Sequence, residues 1–280
     1  MRSTANRRIL ITGAARGIGA ALARRLTERG ARVALCGLEP DLLSAVAQEC
    51  DAPWRECDVA DRAAVDRVVD ELAGELGGLD VVVSNAGIAR QLALVGGDPD
   101  VFERTLRVNT LGTYYVLRAA GQHVAHPGGY ALAVASLAAA VHLPLLGAYS
   151  TSKAAVEALG NTLRTELAPT GARVGVAYFA ELDTDMTSRG FGTRAAEVLT
   201  GGGTISGVAP LAGAVDALER GIARRARRIV SPRWVAPVLP LRMLVQPVVE
   251  RRARSRVTEA LAIARTEDTP FTTPQPGAGA

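Results

Sequence analysis

Short apolar runs alternate with longer amphipathic stretches along this chain, and that alternation restricts it to a parallel sheet wound through helices. The runs at residues 8–12, 32–36, 54–57, 79–83, 129–135, 173–179 and 228–230 read as strands. Residues 17–29 place Ile18, Leu22 and Leu26 on one helical face, and residues 61–76 do the same with Val65, Val68, Val69 and Leu72. Residues 40–49, 108–124, 149–167 and 209–225 also read as helices, and a further helix starts near Asp98. The expected fold class is α/β: a Rossmann-type doubly wound parallel sheet of about seven strands with a C-terminal extension.

Residues 1–231 are expected to form one dinucleotide-binding and catalytic domain. Residues 232–265 differ: Pro237, Pro240 and Pro247 stand among Val, Leu, Met and Trp, and arginines follow. Residues 266–280 have three prolines and no apolar pattern, so a disordered tail is expected there. Residues 184–208 are glycine-rich without a clear period and read as a mobile flap.

The first strand runs into Thr12-Gly13-Ala14-Ala15-Arg16-Gly17-Ile18-Gly19, which opens the first helix. Glycine there lets backbone approach a pyrophosphate, and the helix N-terminus offers free N–H groups and partial positive charge. The second strand ends Leu35-Cys36-Gly37-Leu38-Glu39, with Gly37 where a ribose-binding carboxylate is expected. Without that carboxylate a 2′-phosphate is not repelled, and Arg16 is within the loop to meet it. The reading favours NADP(H) and leaves NAD(H) open, because Glu39 argues for NAD(H) if it swings inward.

Of 32 basic residues, all but Lys153 are arginine. A guanidinium replaces an ammonium at most surface positions, but not where a compact amine tunes a neighbour's proton. Tyr149 lies four residues before Lys153, on the same helix face. An ammonium beside a phenol favours the phenolate and moves the phenol toward neutrality. Ser136 stands at the end of the fifth strand, on the sheet edge where ligands collect. Asn109 reads either as a holder of water or backbone near Lys153, or as an ordinary helix N-cap.

These residues resemble the short-chain dehydrogenases/reductases, in their main single-domain branch, over about residues 7–231. The match comprises Thr12-Gly13-x-x-x-Gly17-x-Gly19, Asp58-Val59, Asn85-Ala86-Gly87, Asn109, Ser136, Tyr149 and Lys153. The resemblance implies that Asp58, with Val59 beside it, holds the adenine amino group, and that Asn85, Ala86 and Gly87 support adenosine. It implies Tyr149 as general acid/base, Lys153 on the nicotinamide ribose, Ser136 orienting the carbonyl, and Asn109 in a proton relay. Thr184 falls where the family contacts the nicotinamide carboxamide, while Phe179-Ala180 replace the usual Pro-Gly and Ser84 a common Asn. The implied activity interconverts an alcohol and a ketone or aldehyde; the alternative is a dinucleotide-sensing binding protein without chemistry.

Composition narrows the partners. A net charge of +4 is too small to demand nucleic acid. Three cysteines (Cys36, Cys50, Cys57) make no disulfide framework and suit a reducing cytoplasm. No run of 18 apolar residues spans a bilayer, and no metal-ligand spacing involves His123 or His126, which read as helix-end residues. Leu143-Pro144-Leu145-Leu146 and residues 234–249 are expected to wall a lipophilic substrate site. The latter segment also fits a contact in a homo-oligomer or at a membrane surface.

Overall fold

The computed structural model describes residues 3–184, 186, 193–202, 204 and 206–276. Seven parallel strands form one sheet: β1 (Arg8–Thr12), β2 (Arg32–Gly37), β3 (Trp54–Glu56), β4 (Val81–Ser84), β5 (Tyr130–Val134), β6 (Arg173–Phe179) and β7 (Arg228–Ser231). Their order is β3-β2-β1-β4-β5-β6-β7. The expected doubly wound sheet is therefore present, with its switch point between β1 and β4.

The central strands β4 and β5 are buried along their whole length because both faces are covered, whereas the edge strand β3 is Trp-Arg-Glu and partly exposed. Ile9 and Ile11 of β1 and Val81 and Val83 of β4 face one core, packed by α1 (Gly17–Glu28), α2 (Pro40–Cys50) and the later helix Leu211–Arg224. Leu10 and Val82 face the other, packed by α3 (Arg62–Leu76) and a long helical segment after β4. Each fully buried Leu or Ile contributes roughly 1.5–3 kcal/mol.

That segment departs from expectation. Residues near 98 and 108–124 read as two helices, yet α4 (Pro99–Leu106) continues through a π-helical turn, Arg107–Leu111, into α5 (Gly112–His123). Asn109 thus sits inside a helix, not at its N-cap. Then come α6 (Gly147–Leu167), α7 (Arg194–Thr200), α8 (Leu211–Arg224), α9 (Val235–Val238), α10 (Arg242–Ala253) and α11 (Val257–Ala264). α7 stands in the stretch expected to be a flap; residues 185, 187–192, 203 and 205 of that stretch lie outside the described residues.

The C-terminal extension folds back on the domain. Val235 and Leu239 enter the core beside β6, and α11 packs on α7. Pro247 lies within α10, although its ring removes one backbone donor. The carbonyl four residues earlier belongs to Met243, a residue 81% exposed. The tail also departs from expectation: residues 266–276 run along the domain, with Thr272 and Gln275 buried against it. Residues 277–280 lie outside the described residues.

Candidate active site

Strand register assembles the site. Ile9 to Ile11 pair with Val81 to Val83, so the loops after β1 and β4 leave the sheet side by side. The Thr12 hydroxyl joins them by accepting N–H bonds from Asn85 (3.0 Å) and Ala86 (3.1 Å). The Asn85 amide returns two bonds, to the carbonyls of Thr12 (3.0 Å) and Gly13 (3.2 Å).

The glycine turn is built for close approach. Gly13 has φ +64°, and a Cβ there would lie 2.7 Å from Cα of Ala86. A Cβ on Gly19 would lie 2.2 Å from the Gly13 carbonyl oxygen. The chain thereby brings the N-terminus of α1 to a bare backbone concavity, where its orphan N–H groups are suited to an anion.

One cavity of about 340 Å³ crosses the carboxyl edge of the sheet. Gly13, Arg16, Gly17, Ile18, Gly37, Asp58, Val59, Asn85, Ala86, Gly87, Ser136, Tyr149, Lys153 and Thr184 all line it. Thr12, Gly19 and Asn109 do not: Thr12 joins two loops, Gly19 packs on the turn, and Asn109 stands behind the wall. The cavity thus unites most residues expected to hold a dinucleotide with those expected to act on substrate.

Ser136 follows β5 and caps a short 3-10 turn, its hydroxyl accepting the Ala138 N–H at 3.1 Å. The same hydroxyl donates to the Phe179 carbonyl at 3.4 Å, and it is the neighbour that favours the Tyr149 phenolate. α6 begins at Gly147, which puts Tyr149 in its first turn and Lys153 one turn further. Lys153 Nζ lies 5.7 Å from the Tyr149 ring centroid and donates to the Val134 carbonyl at 2.9 Å. Burial lowers Lys153 to about 8. Burial also raises the Tyr149 phenol above its usual value, against the opposing bond from Ser136. The expected shift of that phenol toward neutrality is therefore not a property of the site by itself, because desolvation of a phenolate outweighs its partners.

Asn109 is fully buried and clamps the chain after Gly87. Its Oδ1 accepts the Ile88 N–H at 2.8 Å, and its Nδ2 donates to the Ile88 carbonyl and to Ser152 Oγ, each at 2.9 Å. Ser152 in turn donates to the Tyr149 carbonyl at 2.7 Å. Gly87 keeps room beside this network: a Cβ there would lie 3.2 Å from Asn109 Oδ1 and 3.3 Å from Lys153 Nζ.

Further residues line the cavity or bond to its lining, and of these Arg104 and Val141 escaped the sequence reading. Glu39 turns inward, accepts from Arg16 Nε at 2.7 Å and lines the cavity. Arg104 of α4 bonds Asp58 at 2.9 Å. Leu143 and Leu146 line the cavity, whereas Leu145 packs away toward α7. Val141, Trp234, Val238, Val245 and Val249 complete an apolar wall drawn largely from α9 and α10. Met243, Leu244 and Val248 point outward from α10. Among the described residues no cluster is suited to a metal ion.

Residues 7–195 match the family model described as short chain dehydrogenase. An uncharacterized oxidoreductase of Mycobacterium tuberculosis is 30% identical over 255 residues, covering 88% of this chain and 96% of the relative. D-threitol dehydrogenase of Mycolicibacterium smegmatis is 36% identical over 171 residues, covering 59% and 66%. A short chain dehydrogenase structure from Burkholderia cenocepacia, in complex with NADP, has TM-score 0.73 at 29% identity, covering 82% of this chain and 97% of that chain. Another, from Mycobacterium paratuberculosis and bound to NAD, has TM-score 0.71 at 25% identity, covering 81% and 97%.

Proposed function

The chain belongs to the short-chain dehydrogenase/reductase family, and on that premise we propose an NAD(P)-dependent oxidoreductase that interconverts a lipophilic alcohol with its ketone or aldehyde. The observation that carries this reading is that Ser136, Tyr149 and Lys153 line the same cavity as the glycine turn. The turn, Asp58 and the 85–87 loop would hold the dinucleotide, and the bare backbone around Gly13 fits one. When bound, nicotinamide supplies or accepts the hydride. Ser136 donates to the substrate oxygen and orients it. Tyr149 gives that oxygen a proton in reduction and removes one in oxidation. Lys153 stabilises the phenolate form against the burial that opposes it. Asn109 and Ser152 hold the backbone around Tyr149 and Gly87 and connect the site to a proton relay.

The pair of Arg16 and Glu39 bears on the choice of cofactor. The inward carboxylate engages the arginine that a 2′-phosphate would need, and repels that phosphate. We therefore favour NAD(H), reversing the preference for NADP(H) drawn from Gly37 and Arg16. Apolar walls from Leu143, Leu146, Val245 and Val249 support a lipophilic substrate. The outward Met243 and Leu244, followed by Arg251, Arg252 and Arg254, support contact with an anionic bilayer surface. Vesicle flotation of the full chain against Met243→Ser/Leu244→Ser tests that contact.

Turnover with NADH or NADPH on aliphatic, steroid and quinone-like carbonyls tests the main reading. Dinucleotide binding without turnover on any of them supports the sensing alternative instead.

A further inference from the structure

The last described residues run past the loop after β4 and reach the cavity. Glu267 accepts the first backbone N–H groups of α7, from Arg194 (2.9 Å) and Ala195 (3.1 Å). Phe271 then lies beneath the Arg90 guanidinium, 5.5 Å from its carbon to the ring centroid. Thr272 pairs twice with Ala89: its N–H donates to the Ala89 carbonyl (3.1 Å), and its hydroxyl accepts the Ala89 N–H (3.0 Å). Gln275 accepts from Arg104 Nε at 2.9 Å, and the same guanidinium donates to Asp58 at 2.9 Å. Thr272, Thr273 and Gln275 line the same cavity as Gly13 and Asp58.

Strand order fixes which half of the cavity this is. Asp58 follows β3 at one edge of the sheet, while Ser136 follows β5 on the far side of β1 and β4. A dinucleotide whose nicotinamide reaches Ser136 and Tyr149 leaves its adenosine toward Asp58, beside Arg104 and Gln275. A polar strap of this kind pays for its order only through the contacts it makes. Those contacts are with the loop after β4, with Arg104, with the cavity itself and, through Phe271, with Leu92, Val101 and Ala148.

We propose that residues 271–276 form a wall of the adenosine pocket, with Thr273 and Gln275 as dinucleotide-binding residues and Arg104 as a positioning residue that ties Gln275 to Asp58. The inference rests on the dinucleotide reading above. Binding and strap docking are then coupled, each favouring the other.

Hydrogen exchange of the full chain, with and without NAD, tests the coupling at the Thr272 amide. Calorimetric titration of NAD into the parent and Gln275→Ala tests the contact. Slower exchange at Thr272 on binding, together with about three- to tenfold weaker affinity in Gln275→Ala at unchanged thermal stability without NAD, is expected. Faster exchange, which means that the strap is displaced, overturns the proposal. So does unchanged exchange, or an unchanged affinity, while NAD still binds the parent. Absence of any NAD or NADP binding by the parent overturns the dinucleotide reading itself, and the strap's role with it.

Discussion

Lys153 Nζ donates to the carbonyl of Val134, two residues before Ser136, at 2.9 Å. One ammonium is thus tied to the strand that delivers the serine and, through α6, to the tyrosine one turn away. The lysine is buried with a pKa of about 8, well under that of a free lysine.

That burial has a pH signature. Between about pH 8 and 10.5 the unfolded chain binds a proton here that the folded chain does not, so stability rises with pH through that window. Below pH 8 the full cost of burying the charge applies, about 3 kcal/mol at 1.36 kcal/mol per unit. Lys153→Met removes this cost but strips the Val134 carbonyl of a donor, which costs about 1–3 kcal/mol. The variant's stability relative to the parent is expected to be most favourable at pH 7 and to decline steadily toward pH 10.5 in urea melts. A difference independent of pH contradicts the burial argument.

Tyr149→Phe removes the proposed proton carrier and leaves the ring. Turnover is expected to fall by about 10²- to 10⁴-fold, the range for one general acid/base, while dinucleotide affinity changes little. Steady-state kinetics beside a binding titration separates the two. Full turnover in the variant shows that the proton moves by another route.

Gly13→Ala places a methyl 2.7 Å from Cα of Ala86 at a φ of +64°. Backbone on both sides has no flexible side chain to yield. A stability loss of about 1–3 kcal/mol, with dinucleotide affinity reduced in the fraction that folds, is expected in chemical denaturation and titration. Gly37→Ala serves as control, because its Cβ meets nothing nearer than 3.6 Å.

The strands were legible because a sheet buried on both faces demands continuous apolar runs, as in Val81, Val82 and Val83. The pairing of Tyr149 with Lys153 was legible because helical spacing and an otherwise lysine-free chain mark it. Asn109 was found by its place in the family pattern, but its π-helical turn leaves no trace in composition. Residues 266–276 were read as disordered because local pattern carries no information about distant partners such as Ala89 and Arg104. The direction of the Tyr149 shift also escaped, since it depends on burial, which spacing along a helix does not report.

The proposed preference for NAD(H) rests on the Arg16–Glu39 pair. In the parent the guanidinium is engaged by a carboxylate that also faces the cavity. Glu39→Gln removes the charge while keeping the shape, so a 2′-phosphate meets an arginine without an opposing anion. Affinity for NADPH is expected to rise about tenfold, equivalent to roughly 1.4 kcal/mol, with NADH affinity level or lower. Adding Arg16→Ala should abolish the gain, because the gain depends on the guanidinium. If Glu39→Gln leaves the ratio of NADPH to NADH affinity where it was, Glu39 does not read the ribose, and selection lies elsewhere on the β2 edge.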